Sequence, residues 1–134
     1  GKSAVVKSGE MQEKLARDGR VAIYGIYFDF DKAEIKPESR EQIEQLGALM
    51  KGNPKLDVLI VGHTDGKGAF DYNLSLSQRR AQAVAQALAS QYGIAAARVT
   101  AAGAGMMAPV ASNRSDDGRA KNRRVEIVER VPVN

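Results

Sequence analysis

The feature that most constrains the fold is a seven-residue run, "LDVLIVG", at positions 56–62. The run is apolar on both faces, as is typical of a strand in the interior of a covered sheet. The segment after it has apolar residues at helical spacing up to Tyr92, and Gly93 is suited to end a helix there. A buried strand followed by a long amphipathic helix predicts a layered domain of helices on a sheet.

Three further segments have the composition of strands. Residues 20–30, "RVAIYGIYFDF", are rich in β-branched and aromatic residues. Two later segments, "ARVTAAGAG" (97–105) and "RRVEIVERV" (123–131), are separated by a polar loop, "APVASNRSDDGRAKN" (108–122). We therefore expect four strands, with a polar loop between the last two.

Two helices are predicted between these strands. Pro37 is suited to the first turn of the first helix, which "GNP" at 52–54 ends. The apolar stripe of that helix consists of Ile43, Leu46, Leu49 and Met50. The longer helix is predicted to begin near Asn73 or Ser75, because Asn73 can cap it and Ser75 can form a capping box with Gln78.

The expected element order is helix, strand, helix, strand, helix, strand, loop and strand. Strand–helix–strand units favour parallel neighbours joined by right-handed crossovers, whereas the last strand has no helix before it and is expected to pair antiparallel. The prediction is an α+β fold, an α/β sandwich with βαβαββ order, in which two main helices pack on one face of a mixed sheet of about four strands. A short N-terminal helix precedes this sandwich.

The chain of 134 residues is expected to hold one domain, from residue 20 to residue 134. Residues 1–19 are expected to be a linker or a short amphipathic helix, because Met11 and Leu15 are four residues apart and Gly19 follows. No apolar run reaches the length of a membrane span. The chain starts at "GKSAVV" without an apolar leader, so we expect a fragment or a processed form.

The residue inventory excludes several kinds of chemistry. There is no cysteine, which excludes disulfides, thiol catalysis and thiolate metal sites. His63 is the only histidine, so a metal or catalytic role would lack partners, and we expect a hydrogen-bonded structural histidine. "GAG" at 103–105 lacks the Gly-Lys-Ser/Thr ending of a phosphate loop, and no serine nucleophile elbow is present. A carboxylate-only metal site has little support, so we expect no catalytic residue, no metal and no cofactor.

The net charge of the chain is +4, which fits either ordinary solubility or an anionic partner such as nucleic acid, a membrane surface or an acidic polymer. With three Phe, four Tyr and no Trp, a platform for stacking bases is not expected. The positive charges are also spread along the sequence. We therefore expect no nucleic-acid partner.

One charged residue lies among apolar ones. Arg80 comes four residues after Leu76 and four before Val84, inside the apolar stripe of the long helix. A charge there is costly unless it is paired or its head reaches water. From periodicity alone, either the stem of Arg80 packs while its head reaches solvent, or the guanidinium forms a structural salt bridge. The candidate partners in such a bridge are Asp65, Asp71 and Glu126.

Polar residues follow the central strand at its carboxyl end, where ligands collect in open α/β sheets. Asp65 lies there in a glycine-flanked turn, where it either organises the turn through its own backbone or faces a ligand. "NRR" at 122–124 opens the last strand, so Arg123 and Arg124 must point to opposite faces. One of them can join Arg80 near the site while the other faces solvent or a helix.

Five motifs together resemble one known family. They are "YFDFDKAEI" (27–35), "GHTDGKG" (62–68), "NLSLSQRRA" (73–81), "GAGMMAPVASN" (103–113) and "GRAKNRRVE" (118–126). Each motif is weak alone, but in this order and spacing they resemble the OmpA-like C-terminal domain, which occurs in peptidoglycan-associated lipoprotein and in the flagellar stator motor protein B.

The resemblance implies a periplasmic, non-enzymatic domain that binds the peptidoglycan stem peptide noncovalently through meso-diaminopimelate. Such a domain anchors the outer membrane or an envelope complex to the cell wall, and contacts the membrane only through a region outside this chain. The alternative is an envelope assembly scaffold with the same fold and a protein partner. The resemblance assigns ligand contacts to Asp65, Arg80, Asn73, Arg123, Phe30 and Asp31. Asp31 departs from the family pattern, in which Asn is usual, and an ionised carboxylate accepts hydrogen bonds but cannot donate them.

Overall fold

Four strands form one mixed sheet within residues 4–132, which a computed structural model of the chain describes. In chain order they are β1 (Arg20–Ile23), β2 (Asp57–His63), β3 (Val99–Gly105) and β4 (Arg124–Arg130). Their order across the sheet is β1-β4-β2-β3. β2 pairs parallel with β3 and antiparallel with β4, and β4 also pairs antiparallel with β1. The mixed sheet and the antiparallel last strand are therefore confirmed.

The α-helices of the described residues are α1 (Ser8–Asp18), α2 (Arg40–Gly52), α3 (Phe70–Tyr92) and α4 (Asp116–Asn122), with short 3₁₀ turns at Pro37–Ser39 and Ala96–Arg98. α3 connects the parallel strands β2 and β3 and packs on both. α2 contacts α3, and α1 packs against α2 and β1. The α+β fold and the short N-terminal helix are confirmed. None of the helices within residues 4–132 is long and apolar enough to cross a membrane.

The hydrophobic core lies between the helices and one face of the sheet. Its fully buried side chains include Met11, Leu46, Met50, Ile60, Leu88 and Ile127. On β2, Val58 and Ile60 are buried, whereas Leu59 and Val61 are only half-buried. β2 therefore lies inside the sheet as predicted, but only one of its faces is fully covered.

The N-terminal half of α3 approaches the sheet very closely. A Cβ atom on Gly62 of β2 would lie 2.3 Å from the carbonyl oxygen of Ser77, and one on Gly103 of β3 would lie 2.5 Å from the backbone nitrogen of Gln78. Both distances are far shorter than a van der Waals contact, so only glycine fits at these two positions. The two glycines thereby set the distance between α3 and the ends of its two strands.

The predicted strand over residues 20–30 is wrong beyond Ile23. β1 ends there because its partner ends: Ile23 lies opposite Val125, the second residue of β4. The chain then follows an irregular path, in which the backbone nitrogen of Tyr27 donates to Oγ of Ser39 at 2.7 Å. The aromatic side chains of this segment line two cavities instead of packing against a neighbouring strand.

The predicted start of the long helix and the prediction of a helix-free polar loop before the last strand are also wrong. α3 begins at Phe70 without a side-chain cap, and Asn73, inside the helix, donates from Nδ2 to the carbonyl oxygen of Lys67 at 2.6 Å. The predicted polar loop contains α4, whose start is capped by Ser115, since its Oγ accepts from the backbone nitrogen of Gly118. This capping signal was present in the sequence but lay in a segment whose polar composition favoured a loop.

Candidate ligand-binding site

A cleft of about 570 Å³ opens at the carboxyl end of β2. It lies between the first half of α3, the irregular segment before α2 and the residues around α4. All the predicted site residues line it: Asp65, Asn73, Arg80, Arg123, Phe30 and Asp31. The fold thus brings together residues that are distant in sequence, at the sheet edge where ligands collect in open α/β sheets.

Asp65 is held in place by two hydrogen bonds. Its Oδ1 accepts from the backbone nitrogen of Lys67 at 2.9 Å, so the interpretation that Asp65 organises its own turn is confirmed. Its Oδ2 accepts from Nη1 of Arg123 at 2.8 Å. The side chain is only 15% exposed but lines the cleft. A carboxylate has about four acceptor positions, so Asp65 retains acceptor capacity for a ligand.

Arg80 is half-buried and is held by neutral groups. Its Nε donates to the carbonyl oxygen of Lys32 at 2.8 Å and its Nη2 to that of Asp29 at 3.1 Å, while its Cζ lies 4.9 Å from the centroid of the Phe28 ring.

Of the two alternatives left open for Arg80, the structural salt bridge is wrong, because within residues 4–132 Arg80 forms no ion pair with a carboxylate. Burial lowers the pKa of Arg80, and the nearby Tyr72 and Asp31 oppose that shift. Arginine stays protonated in proteins even so. The cleft therefore contains a fixed cation without a counterion of its own.

The turn between Asp29 and Lys32 supports the other side of the cleft. Lys32 donates from its backbone nitrogen to the carbonyl oxygen of Asp29 at 3.0 Å. Asp31 has a φ of 60°, a left-handed conformation that aspartate adopts more readily than most residues. Phe30 is 90% exposed. A hydrogen bond with the Asp31 carboxylate raises the pKa of Tyr72, a cleft residue that sequence analysis missed because an exposed helical tyrosine carries no distinguishing signal.

Three asparagines shape the glycine loop that follows β2. Asn73 is buried and holds the carbonyl oxygen of Lys67, as described above. Asn113 accepts at Oδ1 from the backbone nitrogen of Gly66 at 3.0 Å, and Asn122 donates from Nδ2 to the same oxygen at 2.8 Å. Asn113 and Asn122 belong to two of the quoted motifs but were not proposed as site residues. Their position indicates that they support the loop.

Arg123 immediately precedes β4 and Arg124 opens it. One of the two, Arg123, joins Arg80 in the cleft as predicted. The side chain of Arg123 is 52% exposed and reaches Asp65, whereas that of Arg124 is 1% exposed. Nε of Arg124 donates to Oε2 of Glu126 at 2.6 Å, and its two Nη atoms donate to backbone carbonyl oxygens. Burial would raise the pKa of Glu126, but the hydrogen bond and the charge of Arg124 outweigh it and hold that pKa below its usual value.

His63 is buried beside this ion pair. Its Nε2 lies 3.9 Å from Oε2 of Glu126, too far for a hydrogen bond, and its Nδ1 has no hydrogen-bond partner within residues 4–132. The expectation of a hydrogen-bonded histidine is therefore wrong. Burial, reinforced by the charge of Arg124, lowers the pKa of His63. In the same part of the chain, no group of three or more His, Asp and Glu side chains is arranged to hold a metal ion.

The part of the chain that matches a known family contains every residue of the candidate site. Residues 27–123, well over half of the chain, match the sequence model of the OmpA family. This chain belongs to the OmpA family. The matched region of the OmpA-family domain begins just before Phe30 and Asp31 and ends at Arg123.

Two relatives and one solved structure share this similarity. Outer membrane porin F of Pseudomonas aeruginosa is 46% identical over 101 residues, which are 75% of this chain and 29% of the porin. The peptidoglycan-associated lipoprotein of the same organism is 34% identical over 121 residues, 90% of this chain and 71% of the lipoprotein. The crystal structure of the peptidoglycan-associated lipoprotein from Burkholderia pseudomallei has a TM-score of 0.70 and 36% identity, covering 78% of this chain and 88% of the other. The OmpA-family domain thus spans less than a third of the porin.

These comparisons confirm the family resemblance and the fold class of the OmpA-family domain. The relatives are named as an outer membrane porin and as lipoproteins rather than as enzymes, which agrees with the expectation of a non-enzymatic domain.

Proposed function

We propose that this OmpA-family domain binds peptidoglycan noncovalently, through the meso-diaminopimelate residue of the stem peptide. In this role it acts in the periplasm and anchors the outer membrane or an envelope complex to the cell wall, with the membrane anchor in another part of the protein. The observation that carries the proposal is that Asp65 and Arg80 line one cleft without pairing with each other.

The side-chain end of diaminopimelate carries an ammonium and a carboxylate on one carbon, so its recognition needs an anion and a cation at a fixed separation. Arg80 has no counterion and binds the carboxylate through a planar, bidentate fork. Asp65 accepts from the ammonium with the acceptor positions that Lys67 and Arg123 leave free. Asp31 places a second carboxylate in the same cleft. Its negative charge offsets the part of the Asp65 charge that the ion pair with Arg123 neutralises.

The remaining predicted residues have supporting roles in this proposal. Asn73 holds the glycine loop open beside Asp65 by binding the carbonyl oxygen of Lys67. Arg123 orients the Asp65 carboxylate. Phe30, which is almost fully exposed, packs against the apolar part of the ligand.

The names of the related proteins support a cell-wall partner. One relative and one solved structure are peptidoglycan-associated lipoproteins, and a second relative is an outer membrane porin. Since the six site residues all lie within or at the end of the matched region, the proposal concerns the part of the chain that is shared with them.

Calorimetric titration with a stem peptide that contains diaminopimelate tests the assigned site. Asp65→Asn keeps an acceptor for the backbone nitrogen of Lys67 but removes the charge, so the turn is retained. We expect it to weaken binding by roughly 2–5 kcal/mol, as for other truncations of desolvated charge pairs. Asp71→Asn is the matched control, because Asp71 is exposed on α3 and does not line the cleft. Equal affinities of the wild type and Asp65→Asn would contradict the site.

A stem peptide with lysine in place of diaminopimelate tests the role of Arg80. Lysine lacks the carboxylate on its side-chain end, so Arg80 has no anion to bind. We expect this peptide to bind more weakly than the diaminopimelate peptide in the same titration. Equal affinity for the two peptides would exclude the zwitterion as the recognised group.

Exposed aromatic side chains favour a second candidate, an envelope assembly scaffold that binds a protein partner. Phe30, Phe70 and Tyr72 are all exposed, and aromatic residues are enriched at protein interfaces. A pull-down on purified peptidoglycan sacculi separates the two functions. Retention on sacculi supports cell-wall binding, whereas absence of retention at low salt supports the scaffold.

A further inference from the structure

A second cavity, of about 330 Å³, adjoins the ligand-binding cleft. Phe28, Arg80 and Arg123 line both spaces, so the two meet at these three side chains. The other walls of the second cavity include Tyr24, Tyr27, His63, Ala120 and Arg124. Apart from Arg80 and Arg123, no predicted site residue lines this space.

The two spaces differ in charge. Three carboxylates, those of Asp31, Asp65 and Asp116, line the cleft. None of the carboxylates within residues 4–132 lines the second cavity, although three arginines do. The cleft therefore suits a zwitterion, and the second cavity suits an anion.

The protein leaves part of this positive charge uncompensated. Arg124 is paired with Glu126, and Arg123 gives one Nη atom to Asp65. Arg80 has no carboxylate partner, and its Nη1 has no hydrogen-bond partner within residues 4–132. Arg80 and Arg123 have five N–H donors each, of which the contacts named above use three. Enough donors remain for more than one carboxylate.

The second cavity also has a fixed aromatic wall. The hydroxyl of Tyr24 donates to the carbonyl oxygen of Lys121 at 2.8 Å, which orients the ring against the end of α4. Tyr24 and Tyr27 are both partly exposed. Such rings offer apolar surface to the methylene groups of a ligand while their hydroxyls stay hydrated or hydrogen-bonded.

We propose that the second cavity is a subsite for another carboxylate of the same ligand, one residue along the stem peptide from diaminopimelate. This inference rests on the proposed function. Diaminopimelate is preceded in the stem peptide by a γ-linked D-glutamate, whose α-carboxylate is free unless it is amidated. The ligand class is therefore a stem peptide with an ionised glutamyl carboxylate, which contacts Arg80 and Arg123 while Tyr24 packs on the linking methylenes.

Three synthetic ligands test the subsite by calorimetry at low salt: meso-diaminopimelate alone, the γ-D-glutamyl-diaminopimelate dipeptide, and the same dipeptide with its glutamyl α-carboxylate amidated. We expect the wild type to bind the dipeptide about tenfold more tightly than its amide, the size of effect that one charge-assisted hydrogen bond produces. Diaminopimelate alone reports on the cleft and thus on the proposed function.

A matched pair of variants tests whether the preference for the dipeptide over its amide arises in the second cavity. Ala120 is exposed on α4 and lines the second cavity but not the cleft. Ala120→Glu adds a carboxylate that competes for the arginines, whereas Ala120→Gln adds the same bulk without charge. We expect Ala120→Glu to abolish the preference for the dipeptide over its amide and Ala120→Gln to retain it. The His63 ring, which lines only this cavity, should show proton chemical-shift changes with the dipeptide and not with diaminopimelate alone.

Each other result has a definite meaning. If the wild type binds diaminopimelate but shows no preference between the dipeptide and its amide, the subsite is overturned and the proposed function stands. If none of the three ligands binds, the proposed function fails and the subsite fails with it. A preference that persists in Ala120→Glu overturns the placement of the carboxylate in the second cavity.

Discussion

The fold shields two arginines from bulk water, and only one of them is paired with a carboxylate. Arg124 is buried with Glu126 as a close ion pair, and its remaining donors bind backbone carbonyl oxygens. Arg80 is half-buried, and it is held by two carbonyl oxygens and the ring of Phe28. Carbonyl oxygens orient a guanidinium without cancelling its charge. The comparison separates a charge that is neutralised within the fold from a charge that is positioned and left for a ligand.

Removing the carboxylate of the buried pair should have the largest effect. Glu126→Gln leaves Arg124 buried without a counterion, so we expect it to lower the free energy of unfolding by roughly 3–5 kcal/mol. Urea unfolding measures this loss. Glu129→Gln is the control, because Glu129 lies on the same strand and forms no ion pair within residues 4–132. Equal losses in the two variants would mean that the buried pair has no special role.

Substitution of the other arginine should affect binding more than folding. Arg80→Lys keeps the charge but loses the planar fork, so we expect affinity for the diaminopimelate peptide to fall by roughly 2–5 kcal/mol. The free energy of unfolding should change far less than in Glu126→Gln, since no buried carboxylate loses its partner. Arg79→Lys is the control, because Arg79 is exposed and lines neither cavity. A loss of stability as large as that of Glu126→Gln would remove the distinction between the two arginines.

The histidine beside the buried pair makes that region sensitive to pH. Burial lowers the pKa of His63 below the usual value of 6.5, so between its folded pKa and pH 6.5 the unfolded chain binds a proton that the folded chain resists. The contribution of His63 to the free energy of unfolding is therefore fully present above about pH 6.5. It is lost as the pH falls toward the folded pKa. We expect the Tm of the wild type to fall from pH 7.5 to pH 5.5 by more than the Tm of His63→Gln. Parallel decreases in both proteins would assign the pH effect to other groups.

The smallest effect on ligand affinity is expected at Asp31, which lines the same cleft as Arg80. Asp31→Asn removes the carboxylate that raises the pKa of Tyr72, so we expect that pKa to fall toward its usual value in an NMR titration. Asparagine tolerates the left-handed backbone, so the turn should be retained. Affinity for the ligand should fall by about 0.5 kcal/mol, as for other exposed charges. An unchanged Tyr72 pKa would show that the two side chains do not interact in solution.

Local patterns in the sequence predicted much of the fold and of the site. Uninterrupted apolar residues indicated that β2 lies inside the sheet. The antiparallel pairing of β4 was also predicted correctly, although its premise, that no helix precedes β4, is wrong because α4 ends at Asn122. The family resemblance assigned the six side chains that line one cleft, and the cleft lies where strand ends and helix starts meet at one edge of the sheet.

The contacts of Arg80 could not be predicted in this way. Periodicity showed that the side chain lies on a buried face, but its partners are carbonyl oxygens 48 and 51 residues earlier in the chain. Their position depends on β1 ending at Ile23, and that end is set by the first residues of β4, about a hundred residues later. The composition of residues 20–30 favoured a longer strand. The composition of a segment carries no information about where its partner strand ends.

The two glycines that face α3 limit how the sequence of this domain can diverge. Ser77 and Gln78, which lie against Gly62 and Gly103, immediately precede the turn that carries Arg80, and Asp65 follows the strand that carries Gly62. The gap between Asp65 and Arg80 is thus set by main chain touching main chain. Neutral drift can exchange side chains elsewhere in the core without resizing that gap, whereas a single methyl group at either glycine would change it at once.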